Sequence, residues 1–96
     1  MTDGKRLEAA ELDTALAGVP AWHIAEGKLQ RTFVFRDFVQ AMGFMMSAAL
    51  VAERMNHHPE WFNVYKRVRV DLITHSQAGL TELDFTLAQA MDRLAE

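Results

Sequence analysis

Hydrophobic and polar positions first alternate at helical spacing. Over Leu7–Ala17, Ala9, Leu12 and Leu16 share one face and charged residues take the other, until Gly18 and Pro20 end the run. This predicts a short first helix. Trp22–Ala25 and Lys28–Phe35 then flank Glu26-Gly27, and the aromatic and β-branched run Thr32-Phe33-Val34-Phe35 favours strands joined by a tight turn. Asp37 stands where it can cap a long helix from Phe38 to about Asn56, interrupted only by Gly43. Pro59 biases His58 away from helical backbone, so that helix must end near His57. Period-two alternation follows in Trp61–Tyr65 and Arg67–Thr74. It predicts a second hairpin with Phe62, Val64, Val68, Val70 and Leu72 on the core face, and Trp61, Asn63, Tyr65, Arg69 and Asp71 opposite. After a loop at Ala78-Gly79, Thr81-Glu82-Leu83-Asp84 has the form of a capping box, and Leu83, Leu87, Met91 and Leu94 recur at the spacing of a third helix.

The resulting order is α-β-β-α-β-β-α, with no repeat, linker or low-complexity stretch, so residues 1–96 read as a single domain. Its natural architecture is α+β: one four-stranded antiparallel sheet with three helices on one face. The other face is left open for a ligand or a partner. The long helix is apolar around nearly its whole circumference, through Phe38, Val39, Met42, Phe44, Met45, Met46, Leu50, Val51 and Met55. Such a helix is ordinarily buried all round, and in so small a domain the second side must face another chain. A homodimer or homotetramer through helix 38–56 is therefore expected, and another protein could dock on the same surface.

Ten Lys plus Arg against thirteen Asp plus Glu give a net charge of -3, without the basic footprint of a nucleic-acid binder. The absence of cysteine excludes disulfides, thiol nucleophiles and thiolate metal ligands. Met1–Leu12 is too charged for a signal peptide, and the most apolar stretch, Ala41–Ala52, falls far short of the roughly 20 residues a membrane span needs. A cytoplasmic protein with no membrane association is expected.

Candidate chemistry concentrates in Glu53-Arg54-Met55-Asn56-His57-His58-Pro59. Glu53 and His57 are four residues apart, a step that stacks side chains on one helix face, and a carboxylate there would orient the imidazole and raise its basicity. His58 should point elsewhere because the chain leaves the helix, and His75 follows the last strand on the parity of the open face. Imidazole both donates and accepts protons near neutral pH, so several in one pocket suit a reaction needing an acid and a base together. A lone surface or helix-end histidine ordinarily does nothing; His23, on a strand or turn outside this cluster, is taken as structural, and Arg67 and Arg69 read as a solvated strand face. Glu53, His57, His58 and His75 also offer nitrogen and oxygen ligands for a metal, but sequence-adjacent histidines are poor geometry for one ion, so metal-free chemistry is favoured.

Glu53, His57, His58, Pro59, Tyr65, His75 and Asp84 together fill the pattern Glu-x3-His-His-Pro-x5-Tyr-x9-His-x8-Asp. This pattern resembles that of the pterin-4a-carbinolamine dehydratases, also known as dimerization cofactors of a hepatocyte nuclear factor, and the similarity extends over roughly residues 22–88. The resemblance implies removal of the 4a-hydroxyl of a tetrahydropterin as water, giving a quinonoid dihydropterin, in support of tetrahydrobiopterin recycling. It implies no metal or coenzyme. It assigns proton transfer to His57, His58 and His75 with help from Glu53, and substrate binding to Trp61, Thr74, Asp84 and Pro59. Asp84 also has a purely structural explanation as part of the capping box. Asn56 departs from the Asp expected in animal members. Those members also associate with a homeodomain transcription factor, a partner not carried over to this chain.

Overall fold

The computed structural model describes residues 4–96. Helix α1 spans Ala9–Ala17, strands β1 and β2 span His23–Ala25 and Lys28–Val34, and helix α2 spans Phe38–Met55. Strands β3 (Glu60–Val64) and β4 (Arg67–Leu72) follow, then a 3₁₀ turn over His75–Gln77 and helix α3 (Glu82–Leu94). The strands form one antiparallel sheet in the order β1-β2-β4-β3. This is the α+β order expected from the hydrophobic pattern. No helix among the described residues is long and apolar enough to cross a membrane.

Local chemistry accounts for the turns. Glu26 and Gly27 both have positive φ, the geometry of a two-residue hairpin loop whose twist matches the flanking strands. Asp37 caps α2 by accepting the Gln40 amide at 2.8 Å, as its position predicts. The core lies between the sheet residues Leu29, Phe33, Val68, Val70 and Leu72 and the helix residues Ala41, Phe44, Ala48, Phe85, Leu87, Ala88 and Met91. Phe33 and Phe44 meet at 4.6 Å between ring centres. Helix α1 buries no residue completely and rests on this core through Leu12, Ala15 and Leu16, while Ala9, expected on its inner face, is exposed. Leu94 of α3 is likewise exposed rather than inward.

The second hairpin departs from the expected parity. Val64 pairs with Arg67 across the two-residue loop Tyr65-Lys66, which sets Phe62 opposite Arg69 and Trp61 opposite Val70. Paired residues share a face of the sheet, so with Val68, Val70 and Leu72 in the core, Phe62 and Val64 must point outward. They are 59% and 55% exposed. Trp61 instead packs against the core from the helix-covered side. The strand after the hairpin also stops at Leu72, before the expected Thr74, which makes an isolated bridge to Gly79.

Helix α2 splits into two apolar faces. Ala41, Phe44, Ala48 and Ala52 are buried, while Val39, Met46 and Leu50 are largely exposed and Met42 partly so.

Candidate active site

The end of α2 decides where the adjacent histidines go. Asn56 adopts left-handed backbone with φ 53°, its amide bonds the Glu53 carbonyl, and the His57 amide bonds the Ala52 carbonyl at 3.0 Å. This pair of bonds is a Schellman cap, and asparagine is among the few side chains that tolerate its backbone. Because the cap reverses the chain before His57, the expected Glu53–His57 stacking does not form. His58 takes Glu53 as its partner, Nε2 to Oε1 at 2.8 Å, and both side chains are exposed. His57 turns inward and places Nε2 2.6 Å from Asp84 Oδ1.

Asp84 is completely buried at the first turn of α3. Its Oδ2 accepts the Thr81 amide at 2.9 Å and the Thr74 hydroxyl at 2.8 Å. Since Thr74 donates to Asp84, its oxygen accepts the Thr81 hydroxyl at 2.8 Å, and Thr81 Oγ1 in turn accepts the Leu83 amide at 3.2 Å. Every donor in this chain has an acceptor. Asp84 therefore closes the capping box, as its position predicts, and with its other oxygen it also holds His57.

His75 lies one residue beyond Thr74, in the 3₁₀ turn. Its Nε2 is 2.9 Å from Glu60 Oε2, and the other Glu60 oxygen accepts Lys28 Nζ at 2.5 Å from the far side of β4. The Lys28 ammonium, first, and the His75 ring, second, hold the Glu60 carboxyl below its usual range. Chiefly by its bond to Glu60, Lys28 is held above the ordinary lysine value. Neither Glu60 nor Lys28 stands out in the sequence, because their partnership crosses three strands and leaves no periodic trace.

The three histidines thus gather at one end of the sheet, where β3 begins and β4 ends. His57 and His58 are neighbours in the chain, and Asp84 joins His57 to Thr74, which adjoins His75. Each ring faces a carboxylate. Ionised carboxylates only accept hydrogen bonds, so each ring donates through Nε2, and Nδ1 is the nitrogen outside these bonds. Half-buried Pro59 joins the pair to β3. Trp61 lies next to this end on the helix-covered side, not on the open face where its parity was expected. His23 is exposed on β1, paired with Gln30 at the far edge of the sheet from β3, and Arg67 and Arg69 lie on the solvated face as expected, Arg69 over Phe62 and 3.7 Å from Asp71. Among the described residues, no three His, Asp or Glu side chains are arranged to hold a metal ion. A groove of about 660 Å³ between α1 and α3, walled by Leu7, Glu11, Phe85 and Gln89, includes no histidine.

Fold and site together define a small α+β protein with imidazole–carboxylate pairs grouped at one end of its sheet. Residues 5–94 match the family model described as pterin 4 alpha carbinolamine dehydratase. A Rhizobium leguminosarum bv. trifolii protein assigned by name to the pterin-4-alpha-carbinolamine dehydratases is 53% identical over 93 residues, covering 95% of this chain and 92% of its own. One from Solibacter usitatus, assigned in the same way, is 52% identical over 90 residues, with 94% and 95% covered. The crystal structure of a transcriptional coactivator/pterin dehydratase from Brucella melitensis superposes with a TM-score of 0.92 at 47% identity, covering 96% of this chain and all of that one. The chain belongs to the pterin-4a-carbinolamine dehydratase family.

Proposed function

We propose that this protein is a hydro-lyase that converts a 4a-hydroxytetrahydropterin to the quinonoid dihydropterin and water, supporting the recycling of tetrahydrobiopterin in the cytoplasm. Hydroxide is a poor leaving group unless its oxygen is protonated as the C–O bond breaks, and a ring nitrogen of the pterin must release a proton as the new double bond forms. One group gives a proton and another takes one, so the overall change is loss of water alone. His57 and His75 are assigned to these two transfers, and His58, with Glu53, to binding or relay. Thr74 and Asp84 fix the His57 ring, while Pro59 and Trp61 shape the wall beside it.

The observation that carries this reading is the pairing of each of three grouped imidazoles with its own carboxylate. Such a partner fixes the ring and its tautomer, so that a known nitrogen is left to exchange a proton with the substrate. Stopped-flow dehydration of a synthetic 4a-hydroxytetrahydropterin tests it. His57→Ala and His75→Ala are each expected to lower turnover by about 10²- to 10⁴-fold. A loss below tenfold in both would remove them from catalysis.

The exposed stripe Val39, Met46 and Leu50 on α2 supports assembly of identical chains through this helix, as a homodimer or homotetramer. Light scattering at micromolar concentration should return a mass above that of one chain, and a monomer would overturn the assignment.

A further inference from the structure

The open face of the sheet carries a set of charges that the reaction as proposed does not use. Glu60 stands at the start of β3, directly opposite Asp71 of β4, and Lys28 reaches it across β4 from β2. Two carboxylates side by side repel, and Lys28 lies where it relieves this at the Glu60 side. Asp71 is engaged separately, by the Gln30 amide at 2.7 Å and by Arg69 at 3.7 Å. Glu26, in the β1–β2 turn, acts on Lys28 at longer range. The charged and titratable groups facing Glu60 are therefore Lys28, Asp71 and His75, with Arg69 and Glu26 one step further out and His23 at the end of the same cross-strand row, paired with Gln30.

We propose that Glu60 and Lys28 are positioning residues for His75, forming a cross-sheet tether that fixes the orientation of its ring. Glu60 divides its oxygens, Oε1 to Lys28 and Oε2 to His75. The carboxylate is thereby anchored to the rigid sheet and not left to follow the turn. Orientation follows from the shared bond: with Nε2 committed to Glu60, Nδ1 is the nitrogen presented to a substrate. Charge acts in two opposed senses. A carboxylate beside an imidazole favours its protonated form, and an ammonium sharing that carboxylate opposes it. Lys28 is not in contact with His75 and works through Glu60, so it moderates what Glu60 does.

This inference rests on His75 taking part in the dehydration, and the test keeps the two apart. Rates of 4a-hydroxytetrahydropterin dehydration are measured against pH for the unaltered full chain, His75→Ala, Glu60→Gln, Lys28→Met, Lys28→Arg and the double variant Lys28→Met/Glu60→Gln. The limb of the profile that vanishes in His75→Ala belongs to that ring. In Glu60→Gln this limb is expected to move to lower pH, and in Lys28→Met to higher pH, each by a fraction of a pH unit because the pair is partly exposed and screened. Lys28→Arg should restore the original limb, and the double variant should match Glu60→Gln. KM should change less than kcat in both single variants. If His75→Ala leaves rate and profile intact, the proposed role of His75 fails. If His75→Ala abolishes the limb but Glu60→Gln and Lys28→Met leave it in place, or move it in the same direction, the tether is overturned. Circular dichroism of each variant identifies any loss of rate that comes from misfolding, and the opposite displacements cannot arise from that cause.

Discussion

His57–Asp84 and His75–Glu60 are the same chemical pair in two different surroundings. The first is sealed between the end of α2 and the first turn of α3, with its carboxylate completely buried and bonded by a backbone amide and a threonine hydroxyl as well as the ring. The second lies at the solvent edge of the sheet, with His75 largely exposed and Glu60 bonded to a partly exposed lysine. A buried carboxylate needs all its donors, because every group left unpaired there loses its hydration without replacement. Water can stand in for either partner at the exposed pair. One pair is therefore part of the architecture, and the other can be adjusted by neighbours without endangering the fold.

Removing each carboxylate in turn is the way to break this contrast. Asp84→Ala strands His57, Thr74 and the Thr81 amide together, and a loss of roughly 3–5 kcal/mol of folding stability is expected, the range for breaking a buried pair from one side. Denaturant melts of purified protein measure it, and a loss below about 1 kcal/mol, the scale of an ordinary single hydrogen bond, would show that the burial is not structural. Glu60→Gln should leave the midpoint almost unchanged, as exposed pairs contribute little. Its effect should appear instead as a shallow pH dependence of stability. The Glu60 carboxyl is held below its usual range, so its contribution is present above the ordinary carboxylate value and fades as pH falls through the lowered one. Lys28 is held above its ordinary value, so its contribution is present below that value and fades as pH rises through the raised one. The small difference in melting temperature between the unaltered chain and Glu60→Gln should therefore be widest between these limits and narrow on both sides. A difference that grows as the solution is acidified would contradict the assignment.

The same contrast separates what could be read from the sequence. Element order, the Asp37 cap, the turn at Glu26-Gly27 and the α3 capping box depend on residues close together in the chain, and all appear in the fold. The face of β3 depends on loop length: with Val64 and Arg67 joined by two residues, even positions on β3 pair with odd positions on β4, so Phe62 cannot share a face with Val68. Apolar character alone pointed the wrong way there. At the site, His57, His58, His75, Glu53 and Asp84 are visible as residues, yet their pairing is not. The i, i+4 rule holds only while the helix continues, and Asn56 ends it one residue too soon for Glu53 to meet His57. Glu60 and Lys28 escape notice because a contact across three strands is fixed by sheet order, which no local pattern encodes.

Asp84 occupies the third position of α3 while its other oxygen holds His57. Fraying of that helix's opening turn would therefore carry the carboxylate away from the ring, well before the core beneath Leu87 and Met91 admits water. Local melting of a few residues would break the imidazole–carboxylate pair in a molecule that still looks folded, and the lifetime of one helical turn becomes a limit on how long the His57 ring stays held.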